Sequence, residues 1–400
     1  MSQRRNRSTS VGNINLGDNT TPSLTTMKSR PSSSKHKSER LAALALEDAN
    51  DYTLVAKIGV ALKELSTRYT WLPPLFILGL VWVMFLLSGN YTETNPLHQF
   101  VTLSYAIPGT EPQEYGKGLK DLSFVAFFIV FFTFFREFAM QMVLRPIAVN
   151  WFGITKEGKL NRFMEQTYSM LYYGTMGPFG LLVMKNYAPD LWYFNTDAFY
   201  ENFPHKQHEF WFKFYYLFQA SFWCQQSLIL ALQVEKPRKD FKELVLHHIV
   251  TILLIGLSYR FHFTWMGVAV YITMDVSDFF LATSKTLNYI DHWGTAPFFA
   301  VFVSVWIYMR HYLNLKILWS VLTTFKTIGL WELNWETQQY KCWISQPIVF
   351  ILIAALQLVN AYWLFLIFRI LYRIVFVGVV ADVRSDEESE DKSDGEKKNE

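Results

Sequence analysis

LVLHHIVTILLIGLSYR (Leu244–Arg260) runs directly into FHFTWMGVAVYITMDVSDFFLATSKTLNY (Phe261–Tyr289). Each half is an apolar run near the length that crosses a bilayer, and only a short polar break separates them. The pair reads as a helical hairpin inside a membrane. Four ionisable groups lie within it: His247 and His248 in the first arm, Asp275 and Asp278 in the second. Such groups are costly at membrane depth and mark chemistry, a transport path or a bound ion.

Working outward, apolar stretches of similar length recur from Trp71 to Val380. They predict eight spans at roughly 71–88, 121–144, 167–184, 209–232, 244–259, 263–289, 297–319 and 347–377. The first, third and fifth are short, so seven spans is the alternative. The fold class is therefore an all-α polytopic membrane protein. About half of the 400 residues are hydrophobic, with 35 Phe, 21 Tyr and 14 Trp, and the polar ends mask a greasier middle. Two cysteines, Cys224 and Cys342, exclude a disulfide scaffold or a cysteine-rich metal site. The net charge of +3 says little, because the distribution of charge matters more; no nucleic-acid partner is expected.

Residues 1–40 are rich in Ser, Thr, Arg and Lys, lack an apolar core and read as a disordered basic leader without a cleavable signal. Asn6 and Asn19 in that leader match the glycosylation pattern but would stay unmodified on a cytosolic tail. Leu54, Ile58, Leu62 and Leu65 repeat at helical spacing, predicting an amphipathic surface helix within 41–70. Domain limits follow: two spans and their connection over 71–161, the remaining spans over 162–379 and an acidic disordered tail over 380–400. Arg145, Lys156, Lys159 and Arg162 follow span two, and Lys236, Arg238, Lys239 and Lys242 follow span four. The third connection holds Asp190, Asp197, Glu201 and Glu209. Positive charge thus places both termini in the cytosol and Asn90-Tyr91-Thr92, a glycosylation pattern, on the luminal side. Lys397-Lys398-Asn399-Glu400 fits a dilysine retrieval signal. Ser385 and Ser393, each followed by acidic residues, resemble phosphorylation sites.

If the hairpin turns between Phe261 and His262, His248 pairs in depth with Asp275, and Asp278 lies one turn further on the same face. That level is about 20 Å from the turn, toward the cytosol. Adjacent helical residues point about 100° apart, so one histidine faces a cavity while the other packs or holds its neighbour. A carboxylate beside imidazole favours its protonated form and fixes its tautomer, as nucleophilic or general-base catalysis requires. The competing reading is a helix–helix hydrogen-bonding group with no chemistry. No metal is expected, because clustered histidine boxes are missing and His205-Lys-Gln-His208 falls in the predicted luminal connection. Arg310 and His311 lie deep in span seven, with Arg310 placed to pair an aspartate or bind substrate. Arg136 and Glu137 predict a local polar network in span two.

The paired His, the paired Asp and the text from Phe261 to Tyr289 resemble the signature of ceramide synthases, the longevity-assurance proteins of the TLC-domain superfamily. The remaining spans and tails resemble the fungal branch, and no homeobox-like insert occupies 145–166. The resemblance implies a TLC helical bundle with an internal substrate tunnel, located in the endoplasmic reticulum. It implies N-acylation of a sphingoid base by a (very-)long-chain acyl-CoA as substrate, with no cofactor. A small single-span accessory subunit and homo- or hetero-dimers with a paralogue are implied too. His247 would be nucleophile or base, with His248, Asp275 and Asp278 orienting it. Arg310, Arg145, Lys236, Arg238, Lys239 and Lys242 would be candidates for binding the substrate and its CoA phosphates. The alternative is a non-enzymatic TLC-type lipid carrier or sensor, or a translocon-associated protein.

Overall fold

The computed structural model describes residues 54–232, 240–372 and 376. The leader, Lys236, Arg238, Lys239, Ser385, Ser393 and the Lys397-Lys398 pair lie outside the described residues. The helices are α1 (Leu54–Arg68), α2 (Leu72–Leu87), α3 (Lys120–Asn150), α4 (Glu157–Tyr187) and α5 (Phe210–Ala231). They continue with α6 (Phe241–Arg260), α7 (Thr264–Tyr289), α8 (295–323) and α9 (Ser345–Tyr372). Wide π turns interrupt α3 at Ala139–Leu144 and α8 at Ile307–Leu313.

Each of the eight predicted spans contains a helix among the described residues. Four of the described helices are long and apolar enough to cross a membrane: α3, α6, α7 and α9. A fifth is added if α1 and α2, bent by 112° from one another, count as one span. The helices that fall short, α4, α5 and α8, carry polar groups buried inside the bundle. On α5 these include Lys213, Gln219, Gln225 and Gln226. Contacts fix the directions. Asp121 at the start of α3 meets Lys213 at the start of α5 at 2.7 Å, so those two run parallel. Gly174, Gly177 and Gly180 on α4 oppose Phe279, Val276 and Ile272 on α7 in descending order, so that pair is antiparallel. Ring contacts place Trp71 against Phe138 and Phe280 against Phe298, and α2 to α9 alternate up and down. The start of α2 and the end of α9 therefore lie at one end of the bundle.

Packing explains the phenylalanine content. Phe124, Phe128 and Phe132 repeat every fourth residue on α3, as do Phe214, Phe218 and Phe222 on α5. The two stripes interleave, with Phe132 ring centroids 4.6 Å from Phe218 and 5.4 Å from Phe222. Across α4 and α7, small residues allow close approach, and a Cβ on Gly180 would sit 2.4 Å from the Tyr215 hydroxyl. The Arg136 region contains the expected network: Thr70 Oγ1 donates to Glu137 Oε2 at 2.5 Å and receives Gln141 Nε2 at 2.6 Å.

The other end of the bundle is a polar cap. A short antiparallel pair, β1 (Glu114–Tyr115) and β2 (His208–Glu209), covers the starts of α3 and α5. Lys117 Nζ donates to the His205 carbonyl at 2.8 Å and lies 3.3 Å from His262 Nδ1, while His208 Nε2 meets Thr264 Oγ1 at 2.9 Å. The His205 ring stacks on Trp265 at 4.3 Å and that of His208 on Phe212 at 4.3 Å. Burial, helped by the Lys117 charge, pushes His205 down to about 4 and His262 down to about 3. Burial likewise holds the Lys117 ammonium well below the usual lysine range.

Candidate active site

The α6–α7 hairpin turns where the sequence places it, with Arg260 ending one helix and Thr264 opening the next. An apolar cavity of about 210 Å³ runs between α6, α7 and α9. Its wall includes His247, Thr251 and Leu254 on α6, Val270 and Met274 on α7, and Leu356 on α9. From His247 it reaches Phe261 and the Leu333–Tyr340 connection. Along α6 that distance is about 21 Å at ~1.5 Å per residue. A long greasy tunnel thus ends beside an imidazole.

The two histidines face different neighbours. His247 is on the cavity wall, 5.2 Å from the Trp363 ring and 5.8 Å from that of Trp223. Its Nδ1 is buried and makes no hydrogen bond to a described residue. His248 turns toward α5, where its Nδ1 lies 3.0 Å from Ser227 Oγ. The aspartates depart from the sequence expectation. Neither hydrogen-bonds to a histidine among the described residues, because nearer partners take them. Gln219 Nε2 donates to Asp275 Oδ2, and the Tyr215 hydroxyl donates to the same oxygen at 3.4 Å. Tyr172 in turn donates to Gln219 Oε1 at 2.8 Å. Asp278 instead forms an ion pair with Arg310 at 2.6 Å.

Arg310 reaches inward from the π turn of α8. Its Nε donates to Ser277 Oγ at 2.6 Å, its Nη1 to Asn360 Oδ1 at 3.0 Å, and its guanidinium lies 4.2 Å over Trp306. It ties α7, α8 and α9 together, and its partners are protein groups. His311 Nδ1 meets Gln357 Nε2 at 2.9 Å. Arg145 sits at the end of the bundle opposite the cap, half exposed and 3.3 Å from Glu157; Lys242 is exposed in the first turn of α6 at that same end. Asn90 is exposed just beyond α2, its Nδ2 donating to Thr94 Oγ1 at 2.9 Å.

The TLC-domain family model (TRAM, LAG1, CLN8) matches residues 162–369, from within α4 almost to the end of α9. Ceramide synthase LAG1 of Saccharomyces cerevisiae is 54% identical over 369 residues, covering 92% of this chain and 88% of the relative. The chain belongs to the ceramide synthase family of TLC-domain proteins. Sphingosine N-acyltransferase lac1 of Schizosaccharomyces pombe is 53% identical over 309 residues, 77% of this chain and 78% of the relative. Ceramide synthase 4 of Bos taurus is 32% identical over 214 residues, covering 53% and 50%. The family match contains every residue around the cavity's histidine end.

Several of those residues were absent from the sequence reading of this family member. Tyr215, Gln219, Trp223 and Ser227 recur every fourth position on α5, a stripe that meets Asp275 and both histidines. That period was a legible signal: polar groups on one face of an apolar helix need partners on the next. Asn360 and Trp363 gave no comparable cue, since each is a single residue in the apolar text of α9.

Proposed function

We propose that this protein transfers a long or very long fatty acyl group from acyl-CoA to the amine of a sphingoid base. The observation that carries the reading is His247 on the wall of an apolar tunnel, at the end away from the α6–α7 turn. The name and 54% identity of the yeast relative support it. The thioester brings its own activation, so the chain need only hold carbonyl and amine together, move a proton and stabilise the oxyanion; no cofactor is needed.

In the mechanism we favour, His247 attacks the thioester to give a transient acyl-imidazole, which the amine opens. His248, fixed toward Ser227, holds the register of α6. Asp275 and Asp278 act through the α5 network and Arg310 rather than by touching the imidazole. The second reading keeps His247 as general base for direct transfer. The acyl tail would lie along the tunnel toward the cap. CoA phosphates would meet the opposite end, where Arg145 and Lys242 stand; Lys236, Arg238 and Lys239, outside the described residues, are further candidates for the same phosphates. That end faces the cytosol of the endoplasmic reticulum in this reading, with Asn90 on the luminal side. An accessory single-span subunit and a dimer partner belong to the same proposal, as do phosphate on Ser385 and Ser393.

Purified protein in liposomes, given acyl-CoA and a sphingoid base, is expected to form amide. His247→Ala should abolish this while the protein stays monodisperse; retained turnover would refute the assignment. Mass spectrometry of enzyme given acyl-CoA alone separates the two routes, because only the first leaves acyl on His247.

A further inference from the structure

Acyl transfer needs a donor at the carbonyl oxygen, and neither aspartate can supply one while ionised. Asn360 on α9 has the required features. It is fully buried, and its Nδ2 has no hydrogen-bond partner among the described residues. Its Oδ1 accepts from Arg310 Nη1 at 3.0 Å, which turns the amide so that Nδ2 faces away from the guanidinium. Arg310 is itself held by Asp278 and Ser277, so this orientation is locked from behind.

The placement follows from α9. Leu352 and Leu356 line the tunnel, and Leu356 packs with Val250, one turn from His247. Asn360 follows one turn later on the same face, and Trp363 after it touches the His247 ring. Along α9, an oriented, unused donor thus stands one turn beyond Leu356, the last residue of that helix on the tunnel wall, and just before the residue against the imidazole. A buried polar group without a partner calls for an explanation. Resting on the acyltransferase reading, we infer that Asn360 Nδ2 is the donor that stabilises the oxyanion on the reacting acyl carbonyl. The Asp278–Arg310 pair is then a positioning device for that donor.

In the favoured route, the His247 lone pair forms a C–N bond to the thioester carbon and the carbonyl pair moves onto oxygen, where Asn360 donates. Return of that pair breaks the C–S bond and releases CoA as thiolate. The neutral amine then adds to the acyl-imidazolium, a second oxyanion forms in the same place, and imidazole departs. The proton lost by the amine passes through imidazole to the thiolate, leaving amide and CoA thiol. Direct transfer would form its single oxyanion at the same donor.

The full chain in liposomes provides the test. Amide formation by the unaltered protein checks the acyltransferase reading by itself. Given that activity, Asn360→Asp and Asn360→Ala should lower kcat roughly a hundred- to a thousandfold. The KM for acyl-CoA should move less than about threefold, since the bond is already made, though weakly, to the ground-state carbonyl and gains most of its strength in the transition state. A ketone analogue of acyl-CoA, with methylene in place of sulfur, reports the donor directly. Its carbonyl stretch should fall on binding and return to the free value in Asn360→Ala. An unshifted stretch in the unaltered protein overturns the inference, as do folded variants that turn over normally. A shift that survives in Asn360→Ala but is lost in Trp363→Phe, where the buried indole N–H is removed, also overturns it. Should the Asn360 variants fail to fold, the stretch in the unaltered protein decides.

Discussion

Asp275 and Asp278 differ by one helical turn yet answer to different parts of the molecule. Asp275 is held by neutral donors, Asp278 by a guanidinium. Removing one partner of a buried ion pair leaves an uncompensated charge, a loss of about 3–5 kcal/mol. Arg310→Met is therefore expected to lower the denaturation midpoint sharply. Adding Asp278→Leu should restore much of that stability without restoring amide formation; urea titration and turnover on the same preparations check both. At this scale the sequence exposed the ionisable residues, because charge in apolar text is conspicuous. It offered Arg310 as a partner for one aspartate, which is Asp278, but hid the partners of Asp275, since spacing along one helix says nothing about which neighbour stands opposite. The step from Asp275 to imidazole was inferred from shared depth, whereas depth leaves direction around the axis open.

Helix positions were legible almost to the residue where apolar text is bounded by polar text. Spans expected at 209–232 and 263–289 are found at Phe210–Ala231 and Thr264–Tyr289. The span expected at 167–184 is instead Glu157–Tyr187, because Glu157, Lys159, Arg162 and Glu165 in its first turns disguise the helix as a loop. The close α4–α7 approach rests on glycines whose role only the facing side chains reveal. Gly180→Val would drive methyl groups into Tyr215 and Ile272, where even a bare Cβ would lie 2.4 Å and 2.8 Å from them. Overpacking of this kind costs about 1–3 kcal/mol. Because Tyr215 also serves Asp275, activity should fall along with thermal stability. Gly256→Ala, with open space around it, is the control expected to leave both unchanged.

For the whole molecule, the polar cap closes the end of the bundle that the tunnel approaches. His205 and His262 are held neutral, at about 4 and about 3 against an ordinary 6.5. As pH falls below 6.5 the unfolded chain takes up these protons and the folded chain does not. Stability is thus complete above that value and declines until the folded groups titrate near 4 and 3. Thermal midpoints measured in detergent from pH 7 to pH 4 should fall progressively, and His205→Gln should flatten the slope. The alternation of α2 to α9 brings Arg145 and Lys242 to the same end of the bundle. By contrast, the cap was not foreseen, because its histidines read as loop residues until the turn of α6 brought them together.

The π turn at Ile307–Leu313 also bears on how this chain tolerates changes of length. A wide turn stores slack in the winding of α8. Excising one residue there, such as exposed Tyr308, would let the coil rewind to ordinary pitch with its backbone bonds intact. Insertion should survive, and because the turn already absorbs one extra residue, the helix on either side should keep its facing. The same excision from α7, which has no such reserve, should scramble the register of its glycine-facing side and abolish accumulation of the protein.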